Sequence, residues 1–247
     1  MVFASDIVRH ARIPGCPEVV WCFWWKGVMN ENRVRSLELM RRNLGVPVLL
    51  VNAENINDFI VEGSPLHPAF EFLSDVHKSD YIRIYLLHHY GGGWHDIKPT
   101  EISYSGVWDV FADPEIYFIG KPEIDGGAAC VCDDEGNYMP HVWQDLVATN
   151  RWIGRAHTPL SRRLFDLING VLDGNYKQLS RSPAHNAYSH KDDRRNSKFF
   201  RRLLGRRYPL QWTLFGDLFH PLNYEFRHNF SRTLPFDAVE NMGLNYR

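Results

Sequence analysis

Residues 79–98 read Ser-Asp-Tyr-Ile-Arg-Ile-Tyr-Leu-Leu-His-His-Tyr-Gly-Gly-Gly-Trp-His-Asp-Ile-Lys, a run that gathers several side chains able to do chemistry. Asp80 and Arg83 stand three positions apart, so on a helix both project from one face. The triple glycine Gly91, Gly92 and Gly93 is where that helix should stop. The short run Trp94 to Ile97 then delivers Asp96 to the end of an expected strand, and Lys98 follows at once. Carboxylates accept hydrogen bonds from hydroxyls, while Arg and Lys meet phosphate oxygens. The grouping therefore suits a ligand that is both polyhydroxylated and phosphorylated.

The same segment resembles the sugar-nucleotide site of glycosyltransferases with a DXD sugar-binding region, namely glycosyltransferase family thirty-two and the related capsular polysaccharide synthesis proteins. Their pattern is Ser-Asp-x-x-Arg, a stretch of helix, then Tyr-Gly-Gly-x-Tyr/Trp-x-Asp-x-Asp. Ser79, Asp80, Arg83, Tyr90, Gly91, Gly92, Trp94 and Asp96 match, whereas Lys98 stands where the second Asp belongs. The resemblance implies an α/β fold of GT-A type, a Rossmann-like domain with a mostly parallel central sheet flanked by helices. It implies one glycosyltransferase domain over 1–247, with 177–207 as a basic loop and helix excursion. The implied partners are a nucleoside diphosphate sugar, UDP- or GDP-linked, and a glycan acceptor, with retention at the anomeric carbon. The altered motif leaves a second class open: a catalytically inactive protein that binds nucleotide sugars or carbohydrate.

Within the resemblance, Asp80 and Arg83 sit on the donor sugar and its diphosphate, beside Gly92 and Gly93. Asp96 meets ribose, sugar or metal. The usual second Asp is a principal ligand of Mn²⁺ or Mg²⁺, hard cations that carboxylates suit. Charged Lys98 cannot ligate, and two unit charges 4 Å apart repel by roughly 4 kcal/mol at an effective dielectric of about 20. Asp96 and Lys98 are therefore the expected catalytic pair, with the metal weakened or replaced by Lys98. His220 is the candidate second metal ligand beside Asp96. Asn150, in a segment resembling the family's Asn-x-x-Ile-x-Ala, is expected near the sugar. Val-Trp-Cys-Phe-Trp-Trp-Lys-Gly resembles the family's opening strand, which places Trp24 against the nucleotide base. Stacking of that kind is worth roughly 1–3 kcal/mol per base.

These groups need elements to position them. The apolar run from Pro17 to Gly27 predicts a buried first strand whose alternation sets Trp21, Phe23 and Trp25 on one face and Cys22 with Trp24 on the other. Helical spacing follows over Asn32 to Leu44, then a strand over Val46 to Val51. Pro68 to Tyr90 predicts helix in one or two pieces. Glu115 to Ile119 predicts a strand, the stretch from Asp145 to Ile153 leads on, and Leu160 to Leu172 predicts a helix. The basic stretch Ser180 to Arg207 predicts a loop and then a short helix packed through Phe199, Phe200, Leu203 and Leu204. Alternating strands and helices argue for an α/β domain whose ligands sit at the carboxyl ends of the strands. Trp24 and Asp96 both lie at such ends.

Composition sets the outer limits. The chain has 247 residues, of which 44% are hydrophobic and 23% charged, ordinary values for a globular protein. Aromatics reach 14% with eight Trp, a richness that suits stacking on bases and sugar rings as well as core packing. The net charge of −1 gives no global pull toward nucleic acid, and the basic stretch is offset by Asp192 and Asp193, so no nucleic-acid partner is expected. Cys16, Cys22, Cys130 and Cys132 lack zinc-finger spacing and are expected as reduced thiols. No segment approaches the roughly 20 apolar residues of a membrane span, and no cleavable leader is evident, which together point to a soluble cytoplasmic protein.

Overall fold

The computed structural model describes residues 11–133, 135–192 and 207–236. Six strands form one sheet: β1 (Val20–Phe23), β2 (Val48–Val51), β3 (Gly92–His95), β4 (Phe118–Pro122), β5 (Val147–Gly154) and β6 (Phe230–Ser231), in the order β2-β1-β3-β5-β4-β6. β1 pairs in parallel with β2 and β3, and β4 with β6, whereas β5 runs antiparallel to β3 and β4. The sheet is mixed and mostly parallel, flanked by helices, as the alternation of elements predicts.

The helices are α1 (Glu31–Asn43), α2 (Asp75–His89), α3 (Pro159–Arg181) and α4 (Leu214–Glu225) among the described residues. Each of the first three begins at a polar N-cap: Asn30, Ser74 and Thr158 accept from the backbone N–H three residues on. Alternation along β1 divides the core. Trp21 and Phe23 enter the cluster built by α2, α3 and α4, while Val20 and Cys22 enter the one that holds Leu37 and Met40 of α1 with Trp108 and Phe111. Trp25 continues the first face, stacked at 14° on Phe23, and Trp24 packs on the second.

Boundaries differ from the expectation in three places. β1 ends at Phe23 rather than near Gly27, because its pairing with β2 stops at Phe23↔Val51 and that with β3 already at Trp21. β4 starts at Phe118 instead of Glu115, since Asp113 caps a turn that takes up Glu115 N and Ile116 N. α3 continues to Arg181, its Gly170 and Gly174 tolerated on a surface with nothing within 4 Å of either. The helix expected within 193–206 lies outside the described residues. All four cysteines are free.

The glycine turn joins α2 to β3 as the motif implies. Gly91 has φ +69°, its N–H returns to Leu86 O and Leu87 O, and its carbonyl accepts Trp21 Nε1–H at 2.7 Å. A Cβ on Gly91 would lie 2.1 Å from Gly15 O, in backbone contact that cannot yield. The next strand can therefore run flush against β1, which is what aims Asp96 at the cavity described below. Gly91→Ala should destabilise the fold by more than about 2 kcal/mol through strain and clash together. Gly27, at φ +83° with nothing within 4 Å, carries only the conformational penalty, so Gly27→Ala should lose about 1 kcal/mol. Urea unfolding of the two variants reads the difference, and equal losses would show that the close approach at Gly91 is not the constraint.

Candidate functional site

Residues just past the ends of β1 and β3 line a cavity of about 860 Å³, together with one side of α2 and the start of α4. Asp80, Arg83, Asp96, Lys98 and Trp24 all reach it. The helical pair and the residues after the glycine turn, about one turn of helix and one strand apart in sequence, thus meet in a single wall.

Arg83 is the centre of that wall. Its guanidinium carbon lies 4.9 Å from the Trp94 ring and 4.7 Å from the Phe215 ring, so two aromatic surfaces enclose it. Nη1 donates to Thr149 O at 3.2 Å and Nη2 to Ser79 Oγ at 3.3 Å. Nη2 also lies 3.3 Å from Asp80 Oδ1 and 3.7 Å from Asp96 Oδ1. One cation thereby holds two carboxylates from different elements, in surroundings where an unpaired charge would be strongly unfavourable.

The two carboxylates are driven apart in acidity. Burial pushes the Asp80 carboxyl up to about 6, against the pull of Arg83 and with a further push from Asp96, while the Phe215 N–H donated to it works the other way. Asp96 also suffers burial, but Arg83, Lys98 and the Trp94 Nε1–H together outweigh it and hold its carboxyl below the ordinary value of 3.8. The Trp94 bond to Asp96 Oδ1 is 3.0 Å, and the Asp96 N–H donates to Asn150 O at 2.9 Å. The Asp96 side chain retains 30% exposure against 7% for Asp80, so Asp96 is the ionised, accessible carboxylate and Asp80 the buried one that titrates near neutrality.

Trp24 projects from the end of β1 with its Nε1–H on Gly27 O at 3.0 Å, partly exposed to the cavity. Arg33 from α1 lies 5.9 Å from the same ring and donates through Nη1 to Ile97 O at 2.5 Å. It joins the Trp24 surface to the Asp96–Lys98 turn.

Other predicted positions fall elsewhere. Gly92 and Gly93 are buried in β3 and do not line the cavity. Cβ atoms there would come within 3.1 Å of Trp21 Nε1 and 3.0 Å of Val20 Cγ2, so their smallness serves the packing of β3 on β1. Asn150 also lies outside the lining, contributing through its carbonyl to Asp96, while its neighbour Thr149 faces the cavity. His220 reaches the cavity: its Nδ1 accepts from Ala129 N–H at 2.8 Å, while its buried Nε2 lies 3.3 Å from Glu123 Oε2 without completing a hydrogen bond. Accepting at Nδ1 sets the proton on Nε2, a tautomer that ties α4 to the segment 123–129.

The donor set fits a divalent metal poorly. Asp96 is already bonded to an indole N–H and flanked by two cations, His220 accepts the Ala129 N–H at Nδ1, and no three His, Cys, Asp or Glu side chains converge in a metal-ligating group among the described residues. The Arg83 guanidinium stands between the carboxylates instead.

Several cavity residues carry no motif of their own: Arg33, Thr149, Tyr188, Trp212 and Phe215. Arg33 lay in an amphipathic helix where an arginine looks like surface charge. Phe215 and Trp212 lie in the segment Tyr208 to Pro221, which the resemblance places over the diphosphate.

Residues 5–101 match the family described as capsular polysaccharide synthesis protein. The matched region includes Trp24, Asp80, Arg83, Asp96 and Lys98, and covers less than half of the 247 residues. No curated protein matches the chain. Among solved structures, one titled PaToxG glycosyltransferase is similar at 13% identity and a TM-score of 0.38, covering 90% of this chain and 73% of that one. A likeness that distant says nothing about the chemistry of this cavity.

Proposed function

We propose that this chain is a glycosyltransferase that moves a sugar from a nucleoside diphosphate donor, UDP- or GDP-linked, to a hydroxyl of a glycan acceptor with retention at the anomeric carbon. The observation that carries the reading is the convergence of Asp80, Arg83, Asp96 and Lys98 on one cavity that Trp24 also lines. The match of residues 5–101 to a polysaccharide synthesis family supports it.

In this reading the base stacks on Trp24, with Arg33 behind it. Asp96 and the ionised form of Asp80 accept hydrogen bonds from ribose or donor-sugar hydroxyls, and Arg83 keeps both carboxylates in place. The bond between the anomeric carbon and the diphosphate oxygen breaks with positive charge building on the sugar and negative charge on the leaving group. Stabilisation is best aimed where that charge develops. Lys98 supplies a cation for the diphosphate at the position where the related motif has a metal-binding carboxylate. A Mn²⁺ or Mg²⁺ ion has no well-formed donor set here, so the charge is furnished by side chains.

Two measurements test this. Transfer should proceed at full rate in excess chelator, while Lys98→Ala should lower kcat by about 10²-fold or more, the scale of removing one preorganised group from a developing anion. Loss of all activity in chelator, with Lys98→Ala near the wild-type rate, would return the leaving group to a metal.

Asp80 gives a pH signature. Its folded-state carboxyl titrates at about 6, above the ordinary 3.8, so between those values the folded chain holds a proton that the unfolded chain releases. This site therefore favours folding fully at low pH, and that contribution is lost as pH rises through about 6. At pH 7.5 Asp80→Asn should raise stability by on the order of 1–3 kcal/mol, visible as a higher Tm. The same variant should lose donor binding, and wild-type donor affinity should weaken as pH falls below about 6. A variant of lowered Tm would mean that the Arg83 pairing outweighs burial, and undiminished donor binding would remove Asp80 from the site.

A further inference from the structure

Trp212 and Tyr188 line the cavity with their side chains 42% and 39% exposed, unlike Trp21, Trp94, Trp108 and Trp152, which are buried to 1%. Large aromatic faces left open inside a cavity are unfavourable in water unless a ligand covers them. The two rings are tilted by 31° with centroids 6.4 Å apart, close to the outer limit of ring contact, so neither covers the other's face. His190 approaches Trp212 edge-on at 5.5 Å and 72°.

Both rings are tied to the helix that bears Asp80 and Arg83. Ala187 O accepts the Val76 N–H from the first turn of α2, at 3.2 Å, and Asn186 Oδ1 accepts the Tyr188 N–H at 2.8 Å. Gln211 O meets His77 Nε2 at 2.7 Å, and three residues after Trp212 the Phe215 ring lies on Arg83. The backbone next to each ring is therefore bonded to the helix that carries Asp80 and Arg83.

Hydroxyl and carboxylate groups distinguish this wall from the other aromatic of the cavity. Trp24 stands beside Arg33 and the Asp96–Lys98 turn, where cations suit a nucleoside diphosphate. Around Trp212 and Tyr188 the lining supplies Thr213, whose hydroxyl donates to Asp217 Oδ2 at 2.7 Å, and Asp75, which has Lys26 and Lys78 as its charged neighbours. Hydroxyl and carboxylate groups beside open aromatic faces suit a neutral, polyhydroxylated ring that is apolar on its faces.

We infer that Tyr188 and Trp212 form a saccharide platform on which a pyranose ring of the acceptor glycan stacks, presenting a neighbouring hydroxyl to the donor. The inference rests on the transferase reading and adds the place and chemistry of its acceptor.

The test uses the full chain with Trp212→Ala, Trp212→Phe, Tyr188→Ala and the double alanine variant, each checked for native circular dichroism. Saturation-transfer NMR measures binding of a panel of neutral gluco-, galacto- and manno-configured oligosaccharides, and calorimetry measures UDP- and GDP-sugars. At least one oligosaccharide should bind the wild type. Its affinity should fall tenfold or more in Trp212→Ala, vanish in the double variant and be largely kept by Trp212→Phe, with donor affinity within about twofold of wild type throughout. Absence of oligosaccharide binding to the wild type, or binding indifferent to the alanine variants, overturns the platform. Loss of donor affinity with oligosaccharide binding intact overturns it too, because the rings would then hold the nucleotide. If the wild type binds no nucleoside diphosphate sugar, the transferase reading fails instead; an oligosaccharide signal that depends on Trp212 would still establish the platform, without its acceptor role.

Discussion

A single buried guanidinium organises the cavity. Arg83 is enclosed by the Trp94 and Phe215 rings, and its Nη2 lies within 4 Å of both Asp80 and Asp96. Each neighbour answers a physical need. A buried cation demands counter-charge, and a carboxylate this buried is tolerable only beside a cation. Thr149 O and Ser79 Oγ accept further hydrogen bonds from the guanidinium. The fold meets at this point: α2 supplies Arg83 and Asp80, β3 leads to Asp96, β5 supplies Thr149 and α4 supplies Phe215.

The glycine turn is what makes that meeting possible. With no Cβ at Gly91, the chain leaving α2 passes within van der Waals reach of Gly15 and Gly154 and enters β3 directly. Asp96 then lands one residue past the strand, bonded to Trp94 of the same strand. The glycine run thus acts here by allowing close backbone packing, and the ligand-facing groups are those on either side of it.

The cavity has two aromatic regions of different electrostatic character. Trp24 shares its surroundings with Arg33 and the turn bearing Lys98, whereas Tyr188 and Trp212 share the lining with Thr213 and with Asp75 and its lysine neighbours. Asp80 and Arg83 belong to the same lining. Such a layout allows a charged and a neutral substrate to be recognised by different walls of one cavity. His220 and Glu123 join α4 to the segment 123–129 that completes the lining.

Much of this could be read from residue order alone. Period-two alternation in Val20–Phe23 divides its side chains between two cores, and the same period carried past the strand end sends Trp24 and Trp25 to opposite faces. The i, i+3 spacing of Asp80 and Arg83 places them together because helix geometry is local. The glycine run ends α2 because its first member needs a left-handed φ. These features depend on neighbours in the chain. What the chain order left open depends on partners far away in sequence: that Gly92 and Gly93 are filled against β1, that His220 accepts the Ala129 N–H, that Arg33 reaches Ile97 O, and that Trp212 stays uncovered while Trp108 is buried. Backbone conformation follows from local sterics, but whether a side chain faces a cavity or a core is fixed only when strands and helices from across the chain close around it.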